Sequence, residues 1–340
     1  MAIHKNIFNF VENYMSMDYS QVIKESLHEE LQQFDKYLRE SIRTDNPRIQ
    51  KIVNHVFKAQ GKRVRPILVL LTAKSCGGIT PATYHGAITV ELLHTATLIH
   101  DDVVDESKMR RGQPSVGAIF DNKRAVLCGD YFLSSALRES VKTENLEIVD
   151  IIAELGQRLS EGELNQYSLV NEIIIDETEY FNVINEKTAS LLYACTKIGA
   201  ITAGADRKLV DAFGRLGKIL GICFQIRDDI FDYYTTDIGK PTGNDIREGK
   251  ITLPLLHALK KAPEEKSRAM KTIILRRDYS SENIEKLISF AKKYEGIEYA
   301  YTKIEEFLTQ AETIIHTFPI SRETKEQFLL LLLYLKNRGF

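Results

Sequence analysis

Two short acidic clusters in this 340-residue chain share one pattern, Asp101-Asp-Val-Val-Asp105 and Asp228-Asp-Ile-Phe-Asp232. On a helix, residues four apart lie on one face. The spacing therefore predicts that Asp101 and Asp105 point one way, and that Asp228 and Asp232 do the same. Carboxylates on one face repel at neutral pH unless a cation sits between them. Hard oxygen donors suit Mg²⁺, which is usually held by one or two carboxylates plus waters and substrate phosphates. A single cluster could be the solvated end of an acidic helix. Two clusters of identical spacing, each directly after a strongly apolar run, ask for another explanation.

Basic residues gather around the same segments. Gly61-Lys-Arg-Val-Arg-Pro66 sets Lys62 and Arg65 three apart, which predicts a shared helical face. Arg110 and Arg111 follow Asp105, and Lys240 and Lys250 follow Asp232. Arginine forks match phosphate oxygens in pairs, whereas lysine acts as a point charge. Each alone reads as a solvated charge. Together they surround two acidic platforms, and a diphosphate substrate accounts for both signs at once.

His94 stands seven residues, or two helical turns, before Asp101 on the same face; a core histidine is the plainer alternative. Glu91-Leu-Leu-His94 and Glu25-Ser-Leu-His28 also spell the Glu-x-x-His pattern of di-metal helix bundles. A metal-handling bundle is thus a rival reading. It leaves the paired aspartate clusters and their cations unexplained, and Glu25 and His28 lie in a highly charged, solvated-looking stretch.

The elements that must carry these residues read as helices. Only 8 prolines occur, with none in 82–113 or 115–240, so long helices can run uninterrupted. Leu216, Ile219, Leu220, Cys223, Ile226 and Ile230 recur at helical spacing, as do Val90, Leu93, Ala96, Thr97 and His100. Thr80-Pro81 reads as a cap followed by proline at the first helical position. Residues 172–176, Glu-Ile-Ile-Ile-Asp, are the best strand candidate. Neither a low-complexity linker nor a fixed-period repeat is present, and one domain over 1–340 is the simplest organisation.

A net charge of −2 gives no reason to expect nucleic acid. The four cysteines follow no CxxC spacing, which argues against zinc or a disulfide framework and for reduced thiols in the cytoplasm. The N-terminal residues do not read as a signal peptide. No run of about 18 apolar residues exists to span a membrane; Phe328 to Leu335 is short enough to be a buried helix.

The stretches GKRVRP, ELLHTATLIHDDVVDESKMRRGQPS, GEL, EKTASLL, FQIRDDIFDY and GKPTGNDIREGKITLP occur in the order seen in trans-type polyprenyl diphosphate synthases. The chain resembles that family over roughly 58–258, whereas residues 1–50 and the last 80 carry little motif signal. The resemblance implies an all-α helical bundle around a central cavity, usually a homodimer, with two or three Mg²⁺ ions per site. It implies that Lys62, Arg65, His94 and Arg111 hold isopentenyl diphosphate, and that Arg110, Lys187, Gln225, Lys240 and Lys250 contact an allylic diphosphate such as farnesyl diphosphate. Asp101, Asp105 and Asp228 stand as metal ligands, Asp102 and Asp232 as supporting ones, and Thr188 and Gln225 near a developing carbocation. A terpene cyclase also ionises allylic diphosphates but needs no second diphosphate site. A catalytically silent subunit would not be expected to keep both clusters intact.

A chain anchored at Asp101 and Asp105 must send its tail toward the N-terminus of the same helix. Four or five residues correspond to about 6–7.5 Å of rise, which brings it to Thr97 and Ala96. Both are small, where bulky aromatics in the family stop growth early. This predicts a long product of about eight isoprene units, with Leu93, Ile152 and Leu155 as deeper floor candidates. Ala96 could instead be small only to let two helices approach. A product this apolar implies transient membrane contact without any anchor in the chain.

Overall fold

The computed structural model describes residues 19–58, 61, 63–110, 112–234 and 242–337. Three of the expected diphosphate contacts, Lys62, Arg111 and Lys240, lie outside the described residues. The rest is helical, as the proline-free stretches imply. Among the described residues the strands are Met109–Arg110 and Gln113–Pro114, an antiparallel hairpin of two residues on each side.

The first aspartate cluster ends the helix Pro81–Val104. Its start is the one read from sequence. The Thr80 hydroxyl accepts the Thr83 N–H at 3.3 Å, and the Thr83 side chain accepts the Thr80 N–H at 3.0 Å. Such a reciprocal cap contributes on the order of 1 kcal/mol. The helix is apolar nearly all round and is buried chiefly by Asn122–Val141, Val64–Cys76 and Ser190–Thr202, with His28–Ser41 and Leu146–Glu172 also against it. The second cluster ends the helix Arg207–Phe231, which Asp206 caps by accepting the Leu209 N–H at 2.9 Å. It packs against Ser190–Thr202 and Gly296–Thr317.

One apolar core runs from Ile23 to Leu335. The weakly patterned N-terminal segment joins it through Ile23, Leu27, Phe34 and Leu38, all buried. The apolar run from Phe328 lies in Arg322–Asn337 and buries Phe328, Leu330, Leu331, Leu332 and Leu335. Among the described residues no helix is long and apolar enough to cross a membrane.

One local expectation fails. Residues 172–176 form no strand. Leu146–Glu172 runs through Glu172, Ile173 closes it in the left-handed region (φ 55°), and Asp176 caps Glu177–Ile184 by accepting the N–H groups of Thr178 and Glu179 at 2.7 and 3.0 Å. A β-branched run caught between two helices has no strand to pair with. The expected shared face of Lys62 and Arg65 involves Lys62, which lies outside the described residues. Val64–Cys76 begins only at Val64, after Arg63 turns the chain in the left-handed region (φ 56°).

Candidate active site

Both clusters occupy helix C-termini. Asp105 is the C-cap of Pro81–Val104, and Asp232 is the C-cap of Arg207–Phe231. A helix C-terminus carries about half a negative charge, which disfavours carboxylates and favours cations. Other helices of the chain obey this rule, with Lys260 and Lys261 ending Leu253–Lys261, and Lys292 and Lys293 ending Ser281–Lys293. Neither aspartate helix has a basic residue in its last turn. Each end concentrates negative charge that only a cation from elsewhere can offset.

Two lysines, Lys187 and Lys250, stand by the first end and line one cavity with Asp229 of the second. Asp101 and Asp105 both lie within the field of Lys187, and Asp105 and Asp245 both lie within that of Lys250. Burial, then Glu163 and Asp105, push Asp101 up to about 6 against the pull of Lys187 and Arg110. Desolvation, opposed by Lys250 and Lys187, also raises Asp105. Burial and neighbouring carboxylates raise Asp245 and Asp229. Burial works against the Lys250 ammonium, yet Glu248, at 2.6 Å, with Asp245 and Asp105 outweighs it and holds its pKa above the usual value.

Lys187 is delivered by an irregular element. Asn185–Ala189 is a single π turn between Glu177–Ile184 and Ser190–Thr202, a feature common at functional sites. Two glycines grip it. A Cβ at Gly162 would stand 2.9 Å from the Lys187 backbone nitrogen, and one at Gly221 would stand 2.5 Å from the Ala189 Cα. The turn aims Lys187 at Glu163 (2.5 Å) and Gln166 (2.6 Å) on Leu146–Glu172. Next to it, the Thr188 hydroxyl donates to the Gln225 carbonyl at 2.7 Å. The Gln225 amide donates to Asp229 at 2.8 Å, and the Tyr180 hydroxyl donates to Asp229 at 2.6 Å. Lys187, Thr188, Gln225, Asp229 and Lys250 line one cavity of about 230 Å³, whose other wall includes Leu169, Val183 and Ile184.

The central aspartates turn inward. Asp102 is buried and ion-paired to Arg110, whose Nε donates to it at 2.8 Å. Asp229 is buried on the neutral donors just named. Asp232 accepts the backbone N–H groups of Asn244 and Asp245 at 2.9 and 3.0 Å. Asp228 raises the pKa of both Asp229 and Asp245 and so lies close to both.

These donors fit Mg²⁺. They are carboxylates in excess, raised in pKa, at two negative helix ends. Among the described residues no three acidic, His or Cys side chains close into a ready-made cage. An ion completed by waters and phosphate oxygens needs none. The Glu-x-x-His reading finds no such convergence: Glu91 accepts from Arg63 at 2.9 Å and Glu25 accepts from Gln21 at 3.0 Å.

Thus Asp101, Asp105, Asp228, Asp232, Lys187, Thr188, Gln225 and Lys250 converge, and Arg110 joins them through Asp102. Arg65 lies near Cys195, as does Glu91. Leu93, Ile152 and Leu155 are buried. Ala96 falls on the stripe of His85 and His100. His85 bonds Glu139 at 2.7 Å, and the His100 ring occupies the space a Cβ at Gly129 would need, so this stripe faces Asn122–Val141. Thr97 falls on the stripe of His94 and Asp101. Sequence reasoning missed Glu163, Gln166, Tyr180, Asp229, Asp245 and Glu248. The spacing of Glu163 and Gln166 on a proline-free helix was the available signal.

The polyprenyl synthetase family model matches residues 46–291. An octaprenyl diphosphate synthase of Haemophilus influenzae is 34% identical over 331 residues, covering 95% of this chain and 97% of that one. A decaprenyl diphosphate synthase structure from Rhodobacter capsulatus superposes with a TM-score of 0.85 at 32% identity, covering 95% and 100% of the two chains. A geranylgeranyl pyrophosphate synthase structure from Bacteroides thetaiotaomicron gives 0.81 at 38% identity, covering 94% and 99%. The chain belongs to the polyprenyl synthetase family and is a prenyl-transferring enzyme.

Proposed function

We propose that this polyprenyl synthetase adds isopentenyl diphosphate units head-to-tail to an allylic diphosphate, in a Mg²⁺-dependent reaction, and makes a long all-trans product of about eight units. The observation that carries this reading is that Lys187 and Lys250, both within the field of Asp105 at the first acidic helix end, line one cavity with Asp229 of the second. When bound, Mg²⁺ supplies Lewis-acid neutralisation of the departing diphosphate. Asp101, Asp105 and Asp228 would hold the metal, with Asp102 and Asp232 supporting. Lys187, Lys250, Arg110 and Lys240 neutralise the allylic diphosphate as its C–O bond ionises. The oxygens of Thr188 and Gln225 turn their negative dipole ends toward the allylic cation. The double bond of isopentenyl diphosphate, held by Lys62, Arg65, His94 and Arg111, attacks that cation, and the released diphosphate takes the proton. Apolar walls exclude the water that would capture the cation.

Octaprenyl, decaprenyl and geranylgeranyl names among similar proteins leave product length to the cavity of this chain. The small Thr97 and Ala96 favour a long product. Leu127, Val141 and Leu146 are 61%, 63% and 86% exposed, which supports pairing with a second copy of the chain. The test is incubation with labelled isopentenyl diphosphate and farnesyl diphosphate, with and without Mg²⁺, and sizing of the products. Incorporation into a ladder ending near eight units is expected. Cyclised product, or incorporation without added divalent metal, would sink the reading.

A further inference from the structure

We propose that Arg63 is a positioning residue for the isopentenyl diphosphate site, clamping the basic segment to the first aspartate helix. It resides two residues before Arg65, at the cap of Val64–Cys76, with its backbone in the left-handed region (φ 56°, ψ 29°). Non-glycine residues adopt that conformation at a cost, and something must hold it there. Its guanidinium supplies the hold. One nitrogen donates to Glu91 at 2.9 Å and another to Asp35 at 3.2 Å, while its carbon lies 5.6 Å from the Phe34 ring centre. Glu91 is buried and Phe34 fully so.

The position of Glu91 gives this contact its consequence. It stands one turn before His94 and ten residues before Asp101 on Pro81–Val104. The clamp therefore ties the segment carrying Arg65 to the helix that carries both His94 and the first metal platform. It also draws in His28–Ser41, the helix that bears Phe34 and Asp35, which the motifs do not reach. The same helix uses the same device again: Asp102, eleven residues on and therefore on nearly the same face, holds Arg110. Gly61, Arg63, Glu91, Asp102 and Arg110 line one small cavity of about 70 Å³. Two buried carboxylates thus each fix an arginine: Arg63, two residues before Arg65, and Arg110, which is itself assigned to the allylic diphosphate.

The inference rests on the reading that Arg65 and His94 hold isopentenyl diphosphate. Its test is calorimetric titration of the full chain with isopentenyl diphosphate alone, alongside the KM for each substrate. Arg63→Ala is expected to raise Kd and KM for isopentenyl diphosphate roughly tenfold. KM for farnesyl diphosphate should stay within about twofold. Arg63→Lys, which can reach only one carboxylate, should fall between. Because Arg63→Ala leaves a buried Glu91 without its cation, Arg63→Met combined with Glu91→Gln gives the same test without a stranded charge. Unchanged Kd in a variant with native circular dichroism would overturn the clamp, as would equal weakening of both substrates. Arg65→Ala separates the two ideas. If it too leaves Kd unchanged, the assignment of the site fails and the clamp falls with it. If it weakens binding while the Arg63 variants do not, only the clamp is wrong.

Discussion

The two aspartate ends are spelled alike and wired differently. At the first, the central Asp102 is held by an ion pair to Arg110, and Asp105 stands exposed at the rim. At the second, the central Asp229 is held by two neutral donors, Tyr180 and Gln225, and Asp232 by two backbone N–H groups. The shared pattern dictates where the carboxylates fall on a helix. The partners dictate what each end can do. The first end is a platform whose geometry depends on charges from loops. The second is fixed by directional neutral bonds and runs on through Gln225 to Thr188, the dipoles assigned to the reacting carbon.

The largest expected effect falls on both ends alike. Asp101→Ala or Asp228→Ala should lower kcat on the order of a hundredfold or more, as for loss of one group stabilising developing charge. The fold should survive, because like-charge repulsion is relieved. Steady-state rates with Mg²⁺, beside thermal melting, decide it. Near-native turnover in either variant would mean that one end suffices.

The next substitutions should separate the ends. Tyr180→Phe removes one donor from buried Asp229, whose pKa burial and neighbouring carboxylates raise to about 8, a hydrogen bond worth about 0.5–1.5 kcal/mol. Through Gln225 the loss should reach the reacting carbon and lower kcat roughly tenfold with little change in either KM. Asp102→Asn should instead loosen Arg110 and raise the KM of the allylic substrate more than it lowers kcat. If both variants shift the same parameter, the two wirings do the same work.

Much of this contrast was legible in the sequence, but not all of it. The helix carrying Asp101 and its Thr80-Pro81 start follow from periodicity and capping, which are local. The positions of Asp101, Asp105, Asp228 and Asp232 follow from helical repeat. The π turn under Lys187 does not, because it depends on Gly162 and Gly221 admitting its backbone from two distant helices. Nor could local pattern show that Glu163 and Gln166 meet Lys187, or that Tyr180 reaches Asp229 across 49 residues. The isoleucine run at 173–175 misled because β-branched residues suit strands, while the actual outcome was set by a helix boundary on either side.

Charge at the first end should appear in stability. The pKa of Asp101 is about 6 in the folded chain against an ordinary 3.8. Between those values the folded state binds more protons than the unfolded one, so stability of the metal-free protein falls as pH rises from about 4 to about 6. Asp101→Asn should flatten that fall. Its Tm should match the native value below about pH 4 and exceed it above about pH 6. Mg²⁺ with inorganic diphosphate should reverse the order at neutral pH. Parallel Tm-versus-pH curves for the two proteins would show that Asp101 does not carry this charge strain.

The mildest effect on rate, though not on product, concerns what lies upstream of each end. Four and five residues before Asp101 stand Thr97 and Ala96; the corresponding residues before Asp228 are Phe224 and Cys223. Those positions lie about 6–7.5 Å along the axis from the anchoring carboxylate. The side chains there are small on the first helix and include a ring on the second, so the growing tail should follow the first. Thr97 shares the stripe of His94 and Asp101, whereas Ala96 lies on the stripe facing Asn122–Val141. A ring at either place should block the tail, but only at Ala96 must it also push a packed helix aside. Thr97→Tyr is therefore expected to shorten the product to three or four units with kcat within a few-fold and Tm unchanged. Ala96→Tyr should shorten it too, at an overpacking cost of about 1–3 kcal/mol. Phe224→Ala should leave the ladder as it is. Chromatographic sizing of the labelled products distinguishes these outcomes. Shortening by neither tyrosine in folded protein, or lengthening by Phe224→Ala, would send the tail up the second helix and reverse the division of labour between the two ends.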